Sequence, residues 1–223
     1  MSLTVYAISG APSAWRVLLG LGFKGLDYDI QYLDFSKKEH QSESYRAINP
    51  RGTVPALVSS TDKGETTLYD SIAILAWLDR EFPAKPLFGE TAEQAAVIWQ
   101  RVMDCSEHFR AATKALLQPI FFQGVTESNA ALVDAADTLG KELQQLEFFL
   151  WASPYVAGEN PSAADAVYFP EARMVKRALE THTELMSELG VSPQLSDYPN
   201  LAKWLLRVES LEVVAKTMPP HWQ

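Results

Sequence analysis

Apolar and polar positions change their rhythm along this chain, and the change divides it in two. Residues 3–8 read as a strand, 13–23 as a helix, and 26–33 as a second strand that places Tyr28, Ile30 and Tyr32 on one face. Gly25, after Lys24, suits the turn that closes the first helix. Residues 36–47 are polar and predict a short or irregular helix. Residues 56–59 form a third strand, 61–65 a hairpin turn and 66–69 a fourth strand. Ile72, Leu75, Ala76, Leu78 and Asp79, with Trp77, then keep helical spacing until Pro83 stops the run. Beyond about residue 91 no strand pattern survives. Residues 92–122, 128–150, 162–180, 184–189 and 200–216 read as helices, punctuated by Pro119, Gly124, Pro154, Pro161, Pro193 and Pro199. The expectation is an α/β domain over 1–83, a linker rich in proline and glycine over 84–90, and an all-helical domain over 91–223.

Composition narrows the partners. The 223 residues are 47% hydrophobic, enough to bury one large core or two modest ones. A net charge of −9, with no run of Lys or Arg longer than two, argues against nucleic acid or an anionic membrane as partner. Apolar runs are too short to span a bilayer. Met1-Ser2-Leu3-Thr4-Val5-Tyr6 lacks the charged and apolar regions of a leader, and the single Cys105 excludes an internal disulfide, so the cytoplasm is the expected address. Four scattered histidines and one cysteine predict no metal site.

The chemistry concentrates in two places. Asn49-Pro50-Arg51-Gly52-Thr53-Val54-Pro55 opens the third strand, where Pro55 donates no ladder bond and leaves the backbone of Val54 open to an extended partner. Val54-Pro55 is also a candidate cis bond. Fifteen residues on, Asp70-Ser71 offers a carboxylate, a hydroxyl and helix N-terminal amides together. An α-amino acid end group, carrying both charges, would use all three. Either feature alone reads as a strand entry or an N-cap; their order and spacing join them. Farther on, Ser162 and Asp165 after Gly158 form a capping-box variant that accounts for itself without chemistry.

These features, with Asp70-Ser71-Ile72-Ala73-Ile74 and Tyr198-Pro199-Asn200-Leu201-Ala202-Lys203-Trp204, resemble the cytosolic glutathione S-transferases over essentially the whole chain. Within them the resemblance is to bacterial-type serine enzymes with zeta-, tau- and theta-like features. It implies a thioredoxin-like α/β N-terminal domain, an all-α C-terminal domain, glutathione as co-substrate and a homodimer. By the same resemblance Val54 and Pro55 meet the cysteinyl unit of glutathione, and Asp70 with Ser71 holds its γ-glutamyl end. Thr53, Arg51 and His40 are candidates for the glycyl carboxylate.

The sulfur-activating residue departs from the family pattern. Ile8-Ser9-Gly10-Ala11-Pro12-Ser13-Ala14-Trp15-Arg16-Val17 resembles loops whose catalytic serine stands five residues before the arginine, and here that place is Ala11. Ser13 at the helix start and Ser9 at the strand end are the remaining hydroxyls, with the amides of Ser13 and Ala14 as a further possibility. A free thiol ionises near pH ~8.5, and each unit by which that value falls needs about 1.4 kcal/mol. A hydroxyl and a helix N-terminus can supply it. Trp15 and Arg16 either border the electrophile or, for Trp15, pack against the helical domain. Phe109, Ala112 and Leu116 either line an electrophile pocket or form core, and Cys105 is a packing residue. The expected activity is attack of the glutathione thiolate on a small apolar electrophile. The alternatives are a zeta-type isomerase and a non-catalytic binder of glutathione or an apolar ligand.

Overall fold

The computed structural model describes residues 2–62, 64–191 and 197–222. By contact the chain forms two compact units, Met1–Glu90 with Leu211–Gln223, and Thr91–Ser210.

In the first unit β1 (Ser2–Ala7), α1 (Pro12–Lys24) and β2 (Asp29–Tyr32) make a parallel crossover. A single 3-10 turn at Glu39–Gln41 and α2 (Glu43–Ile48) follow, then β3 (Ala56–Thr61), β4 (Gly64–Tyr69) and α3 (Ser71–Glu81). The sheet order is β2-β1-β3-β4, with β3 antiparallel to both its neighbours, which is a thioredoxin-like arrangement. Leu3, Val5 and Ala7 alternate into the core, and α1 and α3 bury Val17, Leu18, Leu21, Ile74, Leu75 and Leu78. Each such Val, Leu or Ile side chain contributes about 1.5–3 kcal/mol of burial. Gly25 ends α1 at φ 69°, as the turn chemistry predicts, and its N–H meets the carbonyls of Leu21 and Gly22. The second strand is shorter than its apolar pattern, at Asp29–Tyr32, because it pairs on one side only and leaves Tyr32 exposed.

The expected linker is fastened to this unit. Lys24 Nζ donates to the carbonyls of Ala84 (3.1 Å) and Lys85 (3.0 Å) and stands 3.7 Å from Asp79, whose carboxylate also accepts the Leu87 N–H. Residues 211–223, expected with the helices that precede them, also cluster here. The helix expected over 200–216 breaks after α9 (Pro199–Glu209) and resumes as α10 (Glu212–Thr217). The Ser210 hydroxyl bonds back to the Arg207 carbonyl, and Leu211 is extended. Gly22 permits α10 to lie on α1, since a Cβ there would stand 2.0 Å from Cγ2 of Val213 and 2.5 Å from its Cβ. Val213 is stiff at χ1, so Gly22→Ala is expected to destabilise the protein by about 1–3 kcal/mol in urea unfolding. An unchanged midpoint would show that α10 yields freely.

The second unit is helical: α4 (Ala92–Asp104), α5 (Arg110–Gln123), α6 (Ala130–Ala152), α7 (Ala163–Thr181), α8 (Thr183–Glu188) and α9. The run expected over 92–122 is interrupted by one π turn at Cys105–Phe109. Phe109, Ala112 and Leu116 are buried, and the buried Cys105 thiol donates to the Val167 carbonyl at 3.4 Å. The expected break at Pro193 lies outside the described residues. The cap at Ser162 forms as its spacing predicts and goes further than a cap. Asp165, fully buried, accepts from the N–H groups of Val156 and Ser162 (both 3.0 Å), the Ser162 hydroxyl (3.1 Å) and the Trp204 indole (2.9 Å). Burial pushes this carboxyl's pKa up, while those donors pull it back down. Among the described residues no helix is long and apolar enough to cross a membrane.

Candidate functional site

Strand register brings three loops to one end of the sheet. Ala56 is opposite both Tyr6 and Tyr69, so the segment after β1, the segment before β3 and the residue after β4 emerge together. These segments carry Ser9–Ser13, Thr53–Pro55 and Asp70–Ser71.

The loop before β3 is held from within. Asn49 is fully buried; its Nδ2 donates to the Thr53 carbonyl (2.6 Å) and its Oδ1 accepts the Arg51 N–H (3.1 Å). The Tyr45 hydroxyl donates to the same carbonyl at 2.7 Å, and burial pushes its pKa up, which keeps it a donor. Gln41 Nε2 donates to the Gly52 carbonyl at 2.6 Å. Gly52 has φ 60°, and a Cβ there would press within 3.0 Å of the His40 carbonyl and the Gln41 amide. The Val54–Pro55 bond is cis. Because β3 begins at Ala56, neither the N–H nor the C=O of Val54 is hydrogen-bonded among the described residues. The result is one open donor and acceptor pair on a fixed backbone.

Asp70, one residue past the Ala56–Tyr69 pair, lies in the strongly restricted region at φ 73° and ψ 120°. That conformation costs a non-glycine residue about 1–3 kcal/mol. Its Oδ1 caps α3 by accepting from Ile72 (3.0 Å) and Ala73 (3.3 Å), while its Oδ2 is uncommitted among the described residues. Ser71 is buried at 5% exposure, and its hydroxyl has no hydrogen-bond partner among them. Asp70 and Ser71 thus stand together at the N-terminus of α3.

The third segment is less committed. Gly10 has φ 82°, and Ala11, as N-cap of α1, offers no side-chain acceptor. Pro12 holds the first helical position. Ser13 is half-buried in the first turn, whereas exposed Ser9 lines a small recess with Tyr32, Trp15, Thr217 and Pro219. Trp15 does not wait for the helical unit: its indole donates to Thr217 Oγ1 at 2.8 Å, and its ring meets Trp222 edge to face at 5.4 Å. Arg16 is buried.

His40 stacks on Phe35 with ring centroids 5.3 Å apart, and its Nδ1 is buried without a partner. The turn leading to it is pinned by Asp34, which accepts from the Ser36 hydroxyl (2.6 Å), the Ser36 N–H (2.8 Å) and the Lys37 N–H (3.2 Å). These bonds hold the Asp34 carboxyl down to about 2. Its folded value lies below the unfolded one, so its stabilisation is present above the ordinary carboxylate range and is lost as pH falls through about 2. Carboxyl NMR titration is expected to give that midpoint, and a value near 4 would show the turn unpinned. Sequence reasoning missed Tyr45, Gln41 and Thr217 here. Tyr45 carried a signal, as the large apolar side chain of a polar segment; the others carried none.

Family comparison agrees with this architecture. The glutathione S-transferase N-terminal domain matches residues 11–81 and the glutathione S-transferase C-terminal domain matches 105–212. Glutathione S-transferase 3 of Zea mays is 30% identical over 170 residues, covering 74% of each chain. Glutathione S-transferase Z1 of Arabidopsis thaliana is 26% identical over 97% of this chain and 91% of its own. The crystal structure of a glutathione S-transferase from the Antarctic clam Laternula elliptica superposes with a TM-score of 0.81 at 30% identity, covering 100% of this chain and 94% of that one. With both characteristic domains matched in order and relatives aligned across the sheet and the helices, the chain belongs to the glutathione S-transferase family.

Proposed function

We propose that this protein binds glutathione along the sheet end and transfers its thiolate to small apolar electrophiles. The observation that carries the reading is the open backbone pair of Val54 beside Asp70 and Ser71. The cysteinyl unit pairs with the Val54 N–H and C=O as a short extra strand next to Pro55. The γ-glutamyl ammonium meets the Asp70 carboxylate, and its α-carboxylate meets the Ser71 hydroxyl and the N-terminus of α3. The glycyl carboxylate lies toward Thr53 and His40, whose Nδ1 has no hydrogen-bond partner among the described residues.

The sulfur then points to the loop Ser9–Ser13. The protein positions the thiol and lowers its pKa; the thiolate sulfur forms the new bond to carbon while the leaving group departs with its electron pair. Ser13, at the positive end of α1, is the assigned hydroxyl, with Ser9 next. Ser13→Ala is expected to lower kcat/KM about 10- to 100-fold with glutathione affinity unchanged, since a hydrogen bond to a charged group contributes about 1.5–3 kcal/mol. Steady-state kinetics with an aryl halide, beside calorimetry, reads this; unchanged turnover passes the role to Ser9 or to the amides.

Two other activities suit the same site. A zeta-type isomerase, in which the thiol adds and is released, is the second reading; consumption of one glutathione per turnover would exclude it. Ala11 favours a non-catalytic binder, which would retain glutathione yet leave every electrophile untouched. The family resemblance also supports a cytoplasmic homodimer, to be read by light scattering of the purified chain.

A further inference from the structure

We propose that the segment 217–222 is a positioning element of the thiol-handling loop, acting through His221 and Trp222. This rests on the assignment of the sulfur to the loop Ser9–Ser13.

The loop's own restraints are backbone bonds alone: the Ala11 N–H donates to the Ile8 carbonyl at 3.0 Å, and the Ala11 carbonyl accepts from Ala14 and Trp15. Its N-cap is Ala11, with no side-chain oxygen to accept from the first turn of α1. Gly10, at φ 82°, is the residue type with the widest backbone freedom. A side-chain restraint on that pair comes from the far end of the sequence. A Cβ on Gly10 would stand 2.7 Å from Nε2 of His221 and 3.2 Å from Nε1 of Trp222, so the imidazole and indole lie directly on the loop. Trp222 is buried and meets Trp15 edge to face, with centroids 5.4 Å apart and planes at 82°. Trp15 is tied in turn to Thr217 by the 2.8 Å indole bond, and its own N–H bonds to the Ala11 carbonyl at 3.0 Å. Gly10 and Ala11 are thereby held from both sides.

The other two parts of the proposed glutathione site owe nothing to this segment. Val54 is set by Asn49 and Tyr45, and Asp70 by its own cap. Loosening residues 217–222 therefore changes how the sulfur is held without changing how the peptide is gripped. A displacement of about 1 Å at a reacting atom can cost up to a hundredfold in rate.

The test compares Trp222→Ala, Trp222→Phe, His221→Ala and Gly10→Ala in the full chain. Trp222→Ala and Gly10→Ala are expected to lower kcat about tenfold. Both should move the acidic limb of the pH–rate profile to higher pH while leaving the calorimetric glutathione affinity within about twofold. Trp222→Phe keeps an aromatic edge on Trp15 and is expected to restore most of the turnover. His221→Ala, at an exposed side chain, is expected to give a smaller shift of the same sign and decides the matter should Trp222→Ala fail to fold. Unchanged kcat and pH profile in Gly10→Ala and His221→Ala would overturn the proposal. If the unaltered chain binds no glutathione, the functional assignment falls with it; normal binding with unchanged profiles sinks the positioning role alone.

Discussion

Asp70→Asn is expected to weaken glutathione binding about 10- to 100-fold while leaving the fold intact. Asparagine caps a helix as well as aspartate and is among the few residues that tolerate positive φ, so the bonds to Ile72 and Ala73 and the backbone at φ 73° survive. What disappears is the negative charge facing the γ-glutamyl ammonium. A charge-assisted bond is worth about 1.5–3 kcal/mol, and each 1.4 kcal/mol is tenfold in affinity. Because Asp70 is exposed, the loss should shrink as ionic strength rises. Calorimetry at two salt concentrations, with a melting curve on each protein, checks both parts. An affinity within twofold of the unaltered chain would remove Asp70 from the site. Asp70→Ala would lose the cap as well, so the asparagine variant isolates recognition from stability.

Asp165→Ala is expected to destabilise the helical unit by about 3–5 kcal/mol, since each buried donor left without an acceptor costs about 1–3 kcal/mol. It strands the N–H groups of Val156 and Ser162 and the Trp204 indole away from water. It also leaves a void beside Trp204, itself fully buried and edge-on to Phe169 at 6.0 Å. For a chain of this size the melting temperature should fall by roughly 6–20 °C. Asp165→Asn should fail to rescue it, because an amide would turn an NH2 group toward donors. A loss under 1 kcal/mol in chemical unfolding would show that the contacts are incidental.

The two residues differ in how far their roles were legible. Asp70 could be read from its neighbours alone: an acidic residue and a serine opening an apolar helical run after a strand. Asp165 was legible only in part. The spacing to Ser162 announces a cap, but the contributions of Val156 and Trp204, the latter 39 residues away, leave no mark in the local pattern. The same holds for Tyr45, whose hydroxyl fixes Thr53, and for Trp15, whose partner Thr217 is 202 residues distant. The break at Ser210 was missed because the helical spacing of 200–216 continues through it; α10 leaves that helix to lie on α1, a tertiary preference.

Sequence by itself determined the alternation of strands and helices, the hairpin before Asp70, the caps at Ser162 and Gly25, and the open Val54 backbone next to a proline. Each follows from side-chain period or from the dihedral limits of single residues, which act over a few positions. Tertiary structure alone decided that 84–90 and 211–222 pack with the α/β unit, that Gly10 lies under His221, and that four donors meet on Asp165. Those depend on close approach between residues far apart in the chain, and the free energy of such contacts exists only once the backbone has brought them together.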